Sequence, residues 1–184
     1  MFWFLVPLVI GLILVGASAF TAAFSRRWGA AWGRAATFIL RNLLGIPLWL
    51  YGFFLAWVAP ARWIFELGPV TAAIGLLLIV IGAIPVVWGH IELGLRTHMP
   101  SVKDTLISSG LYAYVRHPIY AGGILMLAGI FLLKPSLTVL IASAIVIVWA
   151  VVQARLEEID LVERMPDYRA YMERVPRFVP RLRR

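Results

Sequence analysis

The sequence contains no cysteine in its 184 residues. Disulfide bonds, thiolate metal sites and a cysteine nucleophile are therefore excluded. It also lacks a glycine-rich phosphate loop and a Gly-x-Ser-x-Gly segment. The common motifs of P-loop nucleotide binding and of serine hydrolysis are thus absent.

Charge is scarce as well. Only 14% of the residues are charged and 62% are hydrophobic, whereas a soluble domain has about 25% charged residues. Long uncharged runs account for the difference, and a helix that crosses a bilayer needs about 20 mostly apolar residues. The sequence predicts an all-α integral membrane bundle forming a single domain, with a cytosolic helix near its C-terminus.

Five apolar runs are predicted to be membrane spans. They cover residues 3–24, 36–59, 70–89, 119–133 and 137–154. No charge precedes the first run, which predicts a retained span instead of a secretory signal. The second run is one bilayer long only if Arg41 extends its guanidinium to the membrane surface. Because the last two runs are separated only by residues 134–136, they should form an antiparallel hairpin.

Acidic residues are outnumbered by basic ones, nine to seventeen, for a formal net charge of +8. With five spans, fifteen of the seventeen basic residues fall on one side, and only Arg62 and Lys134 fall on the other. Basic residues collect on the cytoplasmic side of membrane proteins and near anionic lipid. We therefore expect an outside N-terminus, a cytoplasmic C-terminus and membrane lipids, not nucleic acid, as partners.

The polar segment of residues 90–118 ends in a candidate binding site. Pro118 suits the first turn of a helix, which places His117 at an N-terminal edge where unpaired backbone N–H groups can bind a carboxylate or phosphate. Arg116 adds donors there, and Tyr120 lies about one turn inside. The alternative is an Arg/His pair at the membrane surface that contacts lipid headgroups, and the residues alone do not separate the two.

Glycines flank this candidate site on both sides. Gly110 allows a turn before it, while Gly122 and Gly123 would let a ligand or a neighbouring helix approach closely.

A second polar segment, residues 155–180, carries adjacent carboxylates. Glu157 and Glu158 point roughly 100° apart on a helix, so they cannot share one proton. One of them could face a pocket while the other pairs with Arg155 or another arginine. A carboxylate beside a pocket suits an ammonium group or ribose hydroxyls. The alternative is an ordinary charged helix surface just outside the membrane.

A metal site is not expected. His90, Glu92 and His98 are the only candidates, and their spacing matches no i, i+4 pair on a helix.

Taken in order, the polar segments resemble the isoprenylcysteine carboxyl methyltransferase family. The resemblance rests on Ser109-Gly110-Leu111-Tyr112 through Arg116-His117-Pro118-Ile119-Tyr120-Ala121-Gly122, a hairpin, Glu157-Glu158, Tyr168-x-x-Tyr171 and Val175-Pro176-Arg177-Phe178-Val179-Pro180. Phospholipid N-methyltransferases share the Arg-His-Pro and Glu-Glu features. The resemblance covers about residues 91–180. This chain departs from it with Met165-Pro166 where many relatives have Phe-Gly, and with Leu111 where proline is frequent.

The resemblance implies an S-adenosylmethionine pocket that faces the cytosol, with no metal. The cofactor-binding positions it implies are Gly110, Tyr112, His117, Pro118, Tyr120, Gly122, Glu157 and Glu158. The catalytic or substrate-orienting positions it implies are Arg116, Arg155 and Glu158. The implied acceptor is lipophilic, first of all an isoprenylcysteine-like carboxylate and alternatively a phospholipid amine.

Two other functions stay open. Membrane sterol reductases end in a similar Arg-His-Pro pattern and use NADPH, but they are typically much longer. A non-enzymatic transport or assembly subunit would place polar residues along a path through the spans. Apart from Arg41, Asn42 and Gln153, the spans contain few polar residues, which argues against transport but not against an assembly role.

Overall fold

A computed structural model describes residues 2–181, and this part of the chain is helical. The α-helices are α1 (Leu5–Ala17), α2 (Thr21–Trp28), α3 (Ala30–Phe38), α4 (Ile46–Val58), α5 (Pro69–Leu93), α6 (Pro118–Leu133), α7 (Leu137–Arg164) and α8 (Tyr168–Arg174). A π-helical segment, Ile39–Gly45, joins α3 to α4, and single 3₁₀ turns cover Gly94–Thr97 and Gly110–Ala113. The tail arginines Arg183 and Arg184 lie outside the described residues.

Three continuous helical stretches are long and apolar enough to cross a bilayer: Ala30–Val58, Pro69–Thr97 and Leu137–Arg164. Helices α1 and α2 qualify as a fourth span only when taken together, and α6 is a shorter apolar helix. The all-α membrane bundle expected from the sequence is therefore confirmed, and the chain is an integral membrane protein. The count of five spans stays a prediction.

The first apolar run, which the sequence predicted as one span, consists of two helices with a sharp bend between them. Helix α1 ends at Ala17, and α2 leaves at an angle of 63°. The buried Asp160 of α7 accepts a hydrogen bond from the backbone N–H of Ala22 at 2.7 Å. This contact holds the start of α2 against α7 and fixes the bend.

Two further helices extend beyond the predicted spans. Helix α5 runs to Leu93 instead of ending at residue 89, and α7 continues to Arg164, ten residues past the predicted end. Ser136 begins α7 by accepting a hydrogen bond from the backbone N–H of Val139, as expected for an N-cap residue. The longer α7 places both glutamates on the same rigid helix that crosses the membrane.

Helices α5 and α6 form a closely packed antiparallel pair because glycines face each other across it. A Cβ added at Gly82 or Gly122 would collide with the carbonyl oxygen of the other, and Gly75 and Gly129 make the same kind of approach. Small residues allow membrane helices to come this close, and van der Waals packing then holds them together. The glycine at position 122 therefore serves this helix packing.

We expect Gly122→Val to destabilise the protein by about 1–3 kcal/mol, because the added side chain must push α5 and α6 apart. Gly123→Ala is the matched control, since a Cβ at Gly123 meets nothing within 4 Å. Thermal unfolding in detergent should show a lowered midpoint for the first variant and an unchanged or slightly raised one for the second. Equal midpoints for both variants would contradict this packing.

Helices α1 and α4 form a second close pair, again built on glycines, with Gly11 against the backbone of Trp49 and Gly52 against Leu8. Helix α7 packs on α1, α4 and α6. A buried apolar cluster joins α1, α4 and α7, and it contains Phe4, Leu8, Leu12, Ala56 and Ala142.

The two helix pairs are joined at one end by their loops. The backbone N–H of Ile64 donates to Pro135 at 2.7 Å, and that of Leu137 donates to Arg62 at 2.9 Å. Toward the other end, α4 makes almost no contact with α5 or α6 in the described part of the chain. A space is therefore left between the α1/α4 pair and the α5/α6 pair, with α7 as its back wall.

Candidate active site

A cavity of about 600 Å³ fills this space. Its apolar part reaches residues well inside the bundle, among them Leu12, Phe53, Met126, Ile130 and Val146. At 1.5 Å per residue, the wall that α6 supplies between Tyr120 and Ile130 is about 15 Å long. The other end of the cavity is polar and lies beside the N-terminus of α6.

The N-terminus of α6 is held in place by the C-terminal segment, the residues that follow α8. Backbone N–H groups of Arg116 and His117 donate to the carbonyls of Pro176 and Arg177 at 2.9 and 3.0 Å. Pro118 then begins the helix, as its fixed φ and missing N–H favour. The two polar segments that the sequence separates by some forty residues therefore meet at one place.

Tyrosines fix the turn that precedes this helix. The Tyr171 hydroxyl donates to the carbonyl of Tyr112 at 2.6 Å, and the Tyr112 hydroxyl donates to Gly89 at 3.4 Å. Burial raises the pKa of Tyr171 to about 12, so this phenol remains a donor at neutral pH. Gly110 has φ +57 and lies against the carboxylate of Glu92, which is why glycine is required at this position.

Glu158 is the centre of a buried ion network. Its side chain is only 5% exposed, and its two oxygens accept hydrogen bonds from Arg177 at 3.0 and 2.6 Å. His117 Nε2 lies 3.1 Å from the same carboxylate, and Arg116 Nε lies 3.3 Å from it. The bond to Glu158 raises the pKa of Arg177. This carboxylate does not line the cavity; it binds the C-terminal segment to α7 and to the start of α6.

Glu157 is the glutamate that faces the cavity. One of its oxygens, Oε1, accepts hydrogen bonds from Tyr120 at 2.7 Å, Arg41 at 2.9 Å and Gln153 at 3.1 Å. The other oxygen, Oε2, accepts no hydrogen bond from residues 2–181, and His117 Nδ1 lies 3.9 Å from it. Donors from three helices therefore fix this carboxylate and leave one oxygen available to a ligand.

Five of the positions implied by the resemblance line the cavity: Tyr112, Arg116, His117, Tyr120 and Glu157. The other five, Gly110, Pro118, Gly122, Arg155 and Glu158, do not. Of these, Gly110, Pro118 and Gly122 shape the backbone or the helix packing, as described above.

The expected roles of Arg155 and of the second glutamate need correction. Arg155 is exposed and outside the cavity, because it lies on the opposite face of α7 from Glu157. The second glutamate pairs with other arginines, one of the two expected alternatives: Arg177 and Arg116 pair with Glu158, and Arg155 pairs with neither glutamate within residues 2–181. Adjacent residues of a helix point about 100° apart. Glu157 therefore faces the cavity while Glu158 faces the arginines.

Arg41 is a site residue that the sequence interpretation missed. Its guanidinium was expected to reach the membrane surface, but its side chain is only 15% exposed and lines the cavity. A signal existed, since a charged residue within an apolar span usually faces the interior of the bundle and marks a functional site.

The segment between α5 and α6 closes the polar end of the cavity, where Thr97, Asp104 and Leu106 are among its lining residues. Arg164 holds this segment to α7, because its Nη1 donates to the carbonyl of Ser101 at 2.7 Å and lies 3.4 Å from Asp104. The same arginine donates to Asp160 at 2.6 Å. Within residues 2–181 no group of three or more histidine or acidic side chains is placed to hold a metal ion.

The sequence was compared with protein families and with individual known proteins, and both comparisons found matches. The family model for phospholipid methyltransferase matches residues 70–165, which is more than half of the chain. The cobalt-zinc-cadmium resistance protein CzcN of Cupriavidus metallidurans (strain ATCC 43123 / DSM 2839 / NBRC 102507 / CH34) is 27% identical over 154 residues, covering 82% of this chain. The chain spans about three-fifths (62%) of the length of that relative.

No solved structure matches. The family match begins at the second residue of α5 and continues beyond Glu157 and Glu158, so it contains the turn before α6, the hairpin and the glutamate pair. The suspected superfamily is therefore confirmed, and the chain belongs to the phospholipid methyltransferase family of membrane proteins.

Proposed function

We propose that this protein transfers a methyl group from S-adenosylmethionine, held at the polar end of the cavity, to a lipophilic acceptor whose apolar part lies deeper among the helices. The observation that carries the proposal is the single cavity in which Glu157 and His117 meet and which continues between apolar side chains. Such a cavity can accept a polar molecule from the aqueous side and a lipid from the membrane side.

The residues at the polar end fit this cofactor. Glu157 Oε2 is available to an ammonium group or to ribose hydroxyls. The His117 ring stacks on Tyr120 with centroids 5.6 Å apart, which gives a flat surface beside that oxygen. The hydroxyl of Thr97 is buried without a hydrogen-bond partner in residues 2–181, and Thr97 lines the same end of the cavity.

The protein's own contribution is mainly positioning. The cofactor supplies an electrophilic methyl group, and its in-line transfer depends on orientation more than on acid–base strength. Tyr120, Gln153 and Arg41 hold Glu157 in one rotamer. The apolar walls exclude water from the place where the two substrates meet.

The acceptor in this proposal is first of all an isoprenylcysteine-like carboxylate. A carboxylate is already ionised at neutral pH and requires no general base. Glu158 is not suited to be one, because both of its oxygens accept hydrogen bonds from Arg177. Arg116 lines the cavity and supplies a positive charge that would attract a carboxylate.

A phospholipid amine is the second candidate acceptor, and the description of the matching family favours it. An amine must lose a proton before or during methyl transfer. With Glu157 Oε2 assigned to the cofactor, the other oxygens of Glu157 and Glu158 already accept hydrogen bonds, which is why the carboxylate acceptor is placed first.

The lipophilic acceptor enters sideways from the membrane in this proposal. Support comes from the gap between α4 and the α5/α6 pair in the described part of the chain. Leu50 and Phe53 of α4 line one side of the cavity, and Val86 and Met126 line the other. The distribution of basic residues supports a cytoplasmic location of the polar end, with the C-terminus on the same side.

Isothermal titration of the purified protein with S-adenosylmethionine tests the proposed cofactor. We expect binding by the wild-type protein and none measurable by His117→Ala, which removes the ring beside Tyr120 and a contact of both glutamates. NADPH in the same titration is the comparison ligand for a reductase. Absence of cofactor binding by the wild type, or full binding by the variant, would count against the assigned site.

A labelling experiment identifies the acceptor class. The purified protein is incubated with methyl-labelled S-adenosylmethionine and either phosphatidylethanolamine or a farnesylcysteine analogue. Label in the second substrate supports the carboxylate, and label in the first supports the amine. Cofactor binding without label in either substrate, or in total membrane lipids, would reject a lipid acceptor.

A further inference from the structure

Arg41 lies outside the region matched by the family, yet it makes three polar contacts at the polar end of the cavity. Its Nη2 donates to Glu157 at 2.9 Å, its Nη1 donates to the carbonyl of Thr97 at 2.8 Å, and its Nε donates to Ser18 at 3.2 Å. These partners belong to α7, to the segment after α5 and to the turn after α1. One planar guanidinium therefore connects three separate parts of the chain.

The local backbone explains why this arginine points inward. Arg41 lies in the π-helical segment Ile39–Gly45, which interrupts the continuous helix from Ala30 to Val58. A π-helical turn is wider than an α-helical one, and such turns are frequent at functional sites. The next residue, Asn42, also turns toward the segment after α5 and exchanges two hydrogen bonds of 3.0 Å with His98.

We infer that Arg41 is a positioning residue for cofactor binding, through which the N-terminal helices orient Glu157 and hold the segment at Thr97 across the polar end of the cavity. The inference rests on the proposed function, because it assumes that Glu157 binds S-adenosylmethionine. It adds that the N-terminal helices are part of the cofactor site, in addition to lining one side of the cavity.

The geometry distinguishes this role from simple helix packing. Arg41 donates to the same oxygen of Glu157 that accepts from Tyr120 and Gln153, and so leaves Oε2 directed away from these donors. Without Arg41, the carboxylate would lose one of its three donors and its countercharge. The segment at Thr97 would lose a hydrogen bond that holds it at the cavity.

Titration with S-adenosylhomocysteine, a cofactor analogue that cannot transfer a methyl group, tests the inference without an acceptor. We expect Arg41→Gln to raise the Kd by about 10- to 100-fold, the usual effect of losing a hydrogen bond to a charged group. Arg41→Lys should rescue binding only in part, because an ammonium group cannot reproduce the planar fork that reaches three acceptors. Arg34→Gln is the matched control, since Arg34 is exposed on the same continuous helix and outside the cavity.

A double-variant comparison separates positioning from general stability. If Arg41 acts through Glu157, then Arg41→Gln should raise the Kd of a Glu157→Ala protein, which has no acceptor at position 157, by clearly less than it raises the Kd of the wild type. The effect that remains measures the hydrogen bond to Thr97. Full multiplication of the two single effects would overturn the inference. A Kd of Arg41→Gln equal to that of the wild type would also overturn it.

The lysine variant keeps the positive charge and serves as the test if the glutamine variant does not fold; wild-type affinity in Arg41→Lys would then reject the inference. The wild-type protein separates this inference from the proposed function. No binding by the wild type rejects both, whereas wild-type binding with unaffected Arg41 variants rejects only the role of Arg41.

Discussion

Replacing Glu157 by glutamine should weaken S-adenosylmethionine binding by about 100-fold, the order of magnitude expected when one partner of a buried, hydrogen-bonded charge pair loses its charge. Glu157 lines the cavity, and its oxygen Oε2 takes no part in the hydrogen bonds that hold Oε1. In the proposed function, Oε2 is the oxygen that binds the cofactor. Folding should be affected less than by loss of Glu158, because the glutamine carbonyl can still accept hydrogen bonds from Tyr120 and Arg41, and Arg41 keeps its acceptors at Thr97 and Ser18. Titration gives the affinity, and the thermal midpoint in detergent reports the folding.

The control is the same substitution, glutamate to glutamine, at another position of α7. Glu163→Gln changes a glutamate of α7 whose side chain is 44% exposed and pairs at the surface with Arg26. Its affinity for the cofactor should equal that of the wild type. Equal affinities of the Glu157 and Glu163 variants would show that the cavity carboxylate is not a cofactor ligand.

Replacing Glu158 by glutamine should have a different effect, lowering the stability of the protein by about 3–5 kcal/mol. Glu158 is the shared partner of Arg177, Arg116 and His117. Its neutralisation leaves two buried or half-buried arginines without their countercharge. Unfolding by heat or denaturant in detergent measures the loss.

The same Glu163→Gln protein is the control for stability, because an exposed ion pair contributes little, about 0–1 kcal/mol. Variants of the two neighbouring glutamates should therefore differ. The Glu157 variant should lose cofactor affinity, and the Glu158 variant should lose stability. A Glu158 variant with wild-type stability and no cofactor binding would reverse the assignment of the two side chains.

Much of the fold could be predicted from the sequence. Apolar runs of membrane length indicated the helices, and the short Lys134–Ser136 link indicated the hairpin of α6 and α7. The meeting of the polar segments was also expected, because the predicted five-span topology places both segments on one side of the membrane. His117 and Glu158 do lie within 3.1 Å of each other.

The remaining site could not be predicted, because it depends on tertiary contacts that local patterns do not contain. Hydropathy cannot tell whether Arg41 turns to the membrane surface or into a cavity, since that depends on the acceptors at Thr97 and Glu157. Helix geometry separates the directions of Glu157 and Glu158 by about 100° but does not say which direction is the cavity. The role of Gly122 similarly depends on its neighbour Gly82.

The hydrogen bonds from Arg116 and His117 to the carbonyls of Pro176 and Arg177 have a consequence for biosynthesis. A ribosome makes the N-terminal part of a protein first, so helices α1–α7 are translated before the residues that complete the site. A nascent chain that ends before residue 176 therefore lacks two of the contacts that hold the polar end of the cavity. The start of α6 gains its backbone partners only when residues 176 and 177 dock beside it.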